Sequence, residues 1–147
     1  RGIGWATAKR FADEGARVAL IDLDKSNAQQ AAVKIGSNHQ GYECDVRSAK
    51  NCQAVVDQII RDFGRIDILV NNAGITRDNL LMRMKDEEWF DIMQTNLTSV
   101  FRLSKAVLRT MMKKRCAQHI PTRSMKKGMK NHGRIALRDI QAKAGAH

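Results

Sequence analysis

The chain has 147 residues and a formal net charge of +11, a length that suits one small domain around a single core. No apolar run approaches the roughly 20 residues of a membrane-spanning helix, and the first residues lack the shape of a secretory signal. Cys44, Cys52 and Cys116 are too few and too irregularly spaced for a disulfide framework or a zinc site, so a soluble cytoplasmic protein with reduced thiols and no bound metal is expected. The charge is unevenly spread. Residues 1–104 carry 14 Lys/Arg and 14 Asp/Glu, whereas residues 105–147 carry 12 Lys/Arg and only Asp139. The basicity belongs to the tail, which has no aromatic residue to stack on bases, so nucleic acid is not expected as a partner.

In chain order, Ile3 to Glu14 has helical apolar spacing and is closed by Gly15. "RVALIDLD" follows as a nearly unbroken apolar run, as in a strand covered on both faces. Ser26 to Ile35 reads as a second helix and "GYECDV" as a short strand reaching Asp45. Ser48 can cap a third helix that runs to Phe63, with Gly64 just past its end. "RIDILV" is another buried strand, broken by "NNAG". From Asp86 to Lys113, apolar residues from Trp89 to Met111 recur at helical spacing, predicting one long helix or two in series. Trp5, Trp89 and the methionines at 82, 84 and 93 are expected to pack, and the four histidines to lie at the surface. After Arg115 periodicity is lost, although "GRIAL" can form one more strand. Alternating strands and helices of this kind predict a parallel sheet wrapped by helices.

A glycine-rich turn leading into a helix lets backbone N–H groups and the positive helix end meet a pyrophosphate. Gly2, Ile3 and Gly4 supply the last part of such a turn. About twenty residues on, Asp22 ends the next strand, where a carboxylate can accept from ribose hydroxyls. At the end of the later strand, Asn71 and Asn72 offer amides to the crevice, while Ala73 and Gly74 let a cofactor approach the backbone.

Here the chain resembles the short-chain dehydrogenase/reductase family. In that family a "TGxxxGIG" motif binds the cofactor pyrophosphate, an Asp after the third strand contacts the adenine, and "NNAG" stabilises the sheet beside the cofactor. The resemblance assigns the first role to Gly2, Ile3 and Gly4, the second to Asp45 and Val46, and the third to Asn71 through Gly74. Asn96, in "MQTNLTSVF", matches the asparagine whose helix distortion supports a catalytic water and proton relay. The wording from "AGITRDNLLMRMKDEEW" to "MMKKR" is similar to the 3-oxoacyl-[acyl-carrier-protein] reductases of fatty acid synthesis. This implies a nicotinamide dinucleotide, a substrate carried on acyl carrier protein, and a homo-oligomer. Asp22 would repel a 2′-phosphate and favours NAD(H). Arg1 resembles the basic residue that relatives use for NADP(H), which stays the second choice.

The family also uses a Ser, a proton-donating Tyr and a Lys four residues after it. Tyr42, the only tyrosine, is elsewhere in the pattern, and in "DIQAKAG" Asp139 stands in the Tyr place before Lys143. The reading is therefore a Rossmann-like doubly wound α/β fold, truncated at both ends. Residues 1–115 form a partial dinucleotide-binding domain and residues 116–147 a basic, irregular tail. Without the strand that should precede "GIG", "RVALID" and "RIDILV" are expected to present unpaired inner edges. A non-catalytic dinucleotide-binding remnant and a dehydrogenase for another alcohol or ketone remain as alternatives.

Overall fold

The computed structural model describes residues 2–113 together with strands at 118–121 and 134–138. Helix α1 (Gly2–Asp13) leads into strand β1 (Arg17–Asp22), then α2 (Lys25–Ile35), β2 (Gln40–Glu43), α3 (Ala49–Phe63) and β3 (Ile68–Asn71). A second helical stretch follows: α4 (Asp86–Met93), a π-helical segment Gln94–Thr98, and α5 (Ser99–Lys113). Strands β4 (Gln118–Pro121) and β5 (Arg134–Arg138) complete the order.

All pairings are parallel, in the order β2-β1-β5-β3-β4. The alternation of side chains divides the core into two layers. Ala19, Ile21 and Leu69 face α3 and α5, joining Val55, Val56, Ile59, Phe63, Leu103, Val107 and Met111. Val18, Leu20, Ile68 and Val70 face the other way, toward Ala8 of α1 and the alanine face of α2. Helices on both faces make this a doubly wound, Rossmann-like sheet, as expected.

Local signals explain the element ends. Ser48 has extended backbone, and its side chain accepts from the Asn51 N–H at the start of α3. Gly64 closes that helix in the left-handed region at φ 79°, where a Cβ would be strained. The Asp24 carboxylate caps α2 by accepting from Ser26 N–H at 2.7 Å.

Several expectations need correction. The inner edges of β1 and β3 are not open. The "GRIAL" run forms β5, which pairs with Arg17–Ile21 on one side and Ile68–Val70 on the other. It occupies the central place that the doubly wound order assigns to the strand before α1, because two facing parallel ladders accept any compatible strand. Trp89 is 49% exposed and Met82 is 94% exposed, so neither is a core residue; only Leu103, Val107 and Met111 of the long apolar stripe are buried. His39 is not a free surface residue, since its Nδ1 accepts the Val18 N–H at 3.1 Å. His119 lies within β4, while His132 and His147 fall outside the described residues.

Candidate functional site

In a parallel sheet the loops after each strand gather at the carboxyl edge. Here Asp22 and Leu23, Cys44 through Arg47, and Ile75 with Arg77 come together there. Asp91 and Thr95, from α4 and the π segment, complete a cleft of about 190 Å³. Asp22, the last residue of β1, is buried, and its Oδ1 accepts the Asp24 N–H at 3.0 Å. That bond holds the carboxylate at the end of its strand. Val46 is buried beside it, with its carbonyl accepting from the Cys52 thiol at 3.4 Å.

Asp45 is held by Arg47. The Arg47 Nε donates to Oδ1 and Nη2 to Oδ2, both at 3.1 Å, and the Arg47 backbone N–H donates to Oδ1 at 2.9 Å. These hydrogen bonds, with the charges of Asp45 and then Asp91, raise the Arg47 pKa further above its ordinary range. Asp91 is also bound by Arg77, Nη2 to Oδ2 at 3.0 Å. The cleft thus contains three carboxylates and two guanidinium groups. Among the described residues Asp22 is the one of the three carboxylates outside any ion pair.

Beyond β3, the loop that begins at Asn72 is tied to the π segment. The Asn96 side chain accepts the Ile75 N–H at 2.8 Å and donates to the Ile75 carbonyl at 2.9 Å. A Cβ at Gly74 would lie 3.4 Å from Asn96 Oδ1, so a side chain there would press on this pair. The π segment itself widens the helix by one residue at Asn96, a distortion often found at functional sites. The Ser99 hydroxyl donates to the Thr95 carbonyl within it.

The structure brings Asp22, Asp45 and Val46 into one cleft with the neighbours of Gly74 and Asn96. Asn71 ends β3, and Ala73 follows in the loop. Gly2, at φ 84°, opens α1 with open space where a Cβ would stand, so the backbone angle and not crowding calls for glycine. Gly4 is buried in the first turn, whereas Ile3 is 75% exposed. Arg1, Asp139 and Lys143 lie outside the described residues. Tyr42 is far from a proton donor's role: its hydroxyl lies within hydrogen-bond distance of both Gln40 Oε1 and Asp62 Oδ2, to one of which its single hydrogen is donated, and burial foremost pushes its pKa up. Arg47, Arg77 and Asp91 escaped the sequence reading. The signal for Arg47 was its place two residues after Asp45; Arg77 and Asp91 are joined only by the fold. Among the described residues no His/Cys/Asp/Glu group could hold a metal ion, and no helix is long and apolar enough to cross a membrane.

A sheet of this topology, an aspartate at the end of β1 and a glycine-opened helix are the parts of a dinucleotide-binding fold. The family model described as short chain dehydrogenase matches residues 1–136, and the chain belongs to that family. It is similar to the 3-oxoacyl-[acyl-carrier-protein] reductases of Vibrio cholerae, 53% identical over 145 residues, and Haemophilus influenzae, 51% identical over 145. The Escherichia coli protein of the same name is also 51% identical over 145 residues. Each match covers 99% of this chain and 59% of the relative, so the chain spans about three-fifths of their length.

Proposed function

We propose that this chain is the dinucleotide-binding part of an oxidoreductase that reduces a 3-oxoacyl thioester to its 3-hydroxyacyl form in fatty acid synthesis. The observation that carries the reading is the cleft at the carboxyl edge, with Asp22 and Asp45 at one side and the Asn96-tethered loop at the other. The residues present suit the adenosine half of a dinucleotide. Asp22 would accept from ribose hydroxyls, Asp45 and Val46 would meet the adenine, and Arg1, Gly2, Ile3 and Gly4 would meet the pyrophosphate at the positive end of α1. Asn71, Ala73 and Gly74 would border the nicotinamide side, and Asn96 would hold a water of the proton relay.

When bound, the reduced nicotinamide supplies a hydride to the carbonyl carbon, and a proton goes to the carbonyl oxygen. NAD(H) is the preferred form. A 2′-phosphate would meet the Asp22 carboxylate, which has no cation paired to it among the described residues; NADP(H) is second. The division at residue 115 follows the same logic, since every proposed nucleotide contact lies before it. The relatives' names support an acyl-carrier-protein-linked substrate. A homo-oligomer is supported by Phe90 of α4, Leu97 of the π segment and Phe101 of α5, which expose apolar surface. The buried cysteines at 44 and 52, for which a reducing compartment is the ordinary setting, suit a cytoplasmic location.

The test is calorimetric titration of the full chain with NADH and NADPH. NADH should bind at least tenfold more tightly, about 1.4 kcal/mol, and Asp22→Ala should bring the two affinities together. An unchanged preference in that variant would overturn the assignment of Asp22. Asp139 in the Tyr place favours one second reading, a binding remnant without turnover. NADH affinity with 3-oxoacyl thioester reduction at background would select it, and measurable turnover would exclude it.

A further inference from the structure

Asp91 has no part in the cofactor reading, yet it stands between the two loops which that reading assigns to opposite ends of the ligand. The loop after β2, through Cys44 to Arg47, is on the adenosine side. The loop after β3, with Gly74, Ile75 and Arg77, is on the nicotinamide side. Both loops line the cleft, and so does Asp91 from α4.

The two carboxylate oxygens of Asp91 serve different loops. Oδ2 accepts from Arg77 Nη2 at 3.0 Å, and Oδ1 lies 3.9 Å from Arg47 Nη1. Arg47 in turn grips its own loop at Asp45, through Nε and Nη2 at 3.1 Å. Charge therefore alternates in sign from Asp45 to Arg47, Asp91 and Arg77. Each loop is also anchored separately. Arg102 of α5 donates to the Arg47 carbonyl, and Asn96 holds both backbone groups of Ile75. Removing the Asp91 charge thus leaves each loop attached to a helical segment and cuts what joins one loop to the other. The Arg47, Asp91 and Arg77 side chains are 42–46% exposed, so these pairs add little to folding. Their consequence is spacing. A ligand with two ends binds better where both halves of its site are already held apart correctly, because ordering them at binding costs affinity.

We propose that Asp91 is a positioning residue for the intact dinucleotide: paired with Arg47 and Arg77, it holds the adenosine loop and the nicotinamide loop at one separation. The inference rests on the cofactor reading above. Its signature is selective. What nicotinamide adds to binding depends on Asp91, and what the rest of the ligand contributes does not.

The experiment compares NADH with ADP-ribose, the same ligand without nicotinamide, by calorimetric titration of the full chain. Wild type should favour NADH by about tenfold. Asp91→Asn should lower that ratio to about threefold or less, with ADP-ribose affinity changed by less than about twofold. Arg77→Gln cuts the same bridge from its other end and should do likewise, which keeps the test open if the first variant fails to fold. Arg77→Lys keeps the charge and can replace the single contact, so its ratio should stay near that of wild type. Both ligands carry the same two phosphate charges, so other effects of salt cancel in the ratio. Raising salt from about 0.01 M to about 1 M should therefore lower the ratio in wild type and leave it unchanged in Asp91→Asn. A merely structural loss would weaken both ligands equally and keep the ratio, which overturns the proposal. So does a wild-type ratio near one, a wild-type ratio indifferent to salt, or a lysine variant that behaves like the glutamine one. If wild type binds neither ligand, the cofactor reading falls instead.

Discussion

His39 illustrates how one side chain can join the backbone of a sheet. The β1–β2 ladder begins at Ala19 and Gln40, and one residue earlier the imidazole of His39 receives the Val18 N–H. Only a neutral ring can accept there. Burial first, and then the charge of Arg17, lower the His39 pKa below 6.5. The folded state therefore binds fewer protons than the unfolded chain. This contribution to stability is complete above pH 6.5 and is lost as the pH falls through the depressed folded value. His39→Ala should cost about 1 kcal/mol at pH 7, the worth of one hydrogen bond, and should flatten the fall in Tm between pH 7 and pH 5. Equal pH slopes in the two proteins would remove His39 from the account. This bond was not legible in the sequence, because it links residues 21 positions apart through a ring that spacing alone assigns to the surface. The place of Asp22 was legible, because an acid that ends an apolar strand run is a local pattern, whereas Asp45 was singled out only through the family resemblance. Arg77 and Asp91 were not legible, because only the chain's path brings them together.

At the level of elements, helix ends were the most readable feature. Ser48, Phe63 and Gly64 carry the start, last turn and stop of α3 within the segment itself. The π segment was only partly legible: the spacing of apolar residues allowed one helix or two, and the widening at Asn96 came from the family resemblance. How closely a helix lies on a strand was not legible at all. Alpha-helix α2 presents Ala28, Ala31 and Ala32 to the sheet, and over β2 it approaches until backbone meets backbone. A Cβ added to Gly41 would stand 2.2 Å from the Ala28 carbonyl carbon and 2.3 Å from the Gln29 nitrogen. Neither atom can move without shifting the helix. Gly41→Ala should therefore destabilise the chain by about 3 kcal/mol in urea denaturation, the upper range of an overpacked core. Val33→Ala, on the exposed side of the same helix, should change stability by under about 0.5 kcal/mol. Similar values for the two substitutions would mean that α2 does not press on Gly41.

For the molecule as a whole, the decisive element is a strand supplied from far along the chain. The β1–α2–β2 and α3–β3 units share no strand pairing with each other; β5 lies between them and pairs with both. Ala136 sits at its centre, opposite Ala19 on one side and Leu69 on the other. The alternation of strands and helices made a parallel sheet legible, but the occupant of its central place was not, because parallel pairing is decided by edges that meet only after folding. Asp22 and Asn71, which border the proposed cofactor, end the two strands that β5 joins. Holding those ends at a fixed separation is thus a task of β5, although every proposed nucleotide contact lies before residue 115. Proline at position 136 removes a ladder N–H and clashes in a central strand, at a cost of about 3 kcal/mol or more. Ala136→Pro should speed amide exchange in β1 and β3 together and weaken NADH binding by at least tenfold. Exchange in both strands at wild-type rates would show that β1 and β3 are held by something other than β5. Faster exchange with unchanged NADH affinity would separate the nucleotide site from the central strand.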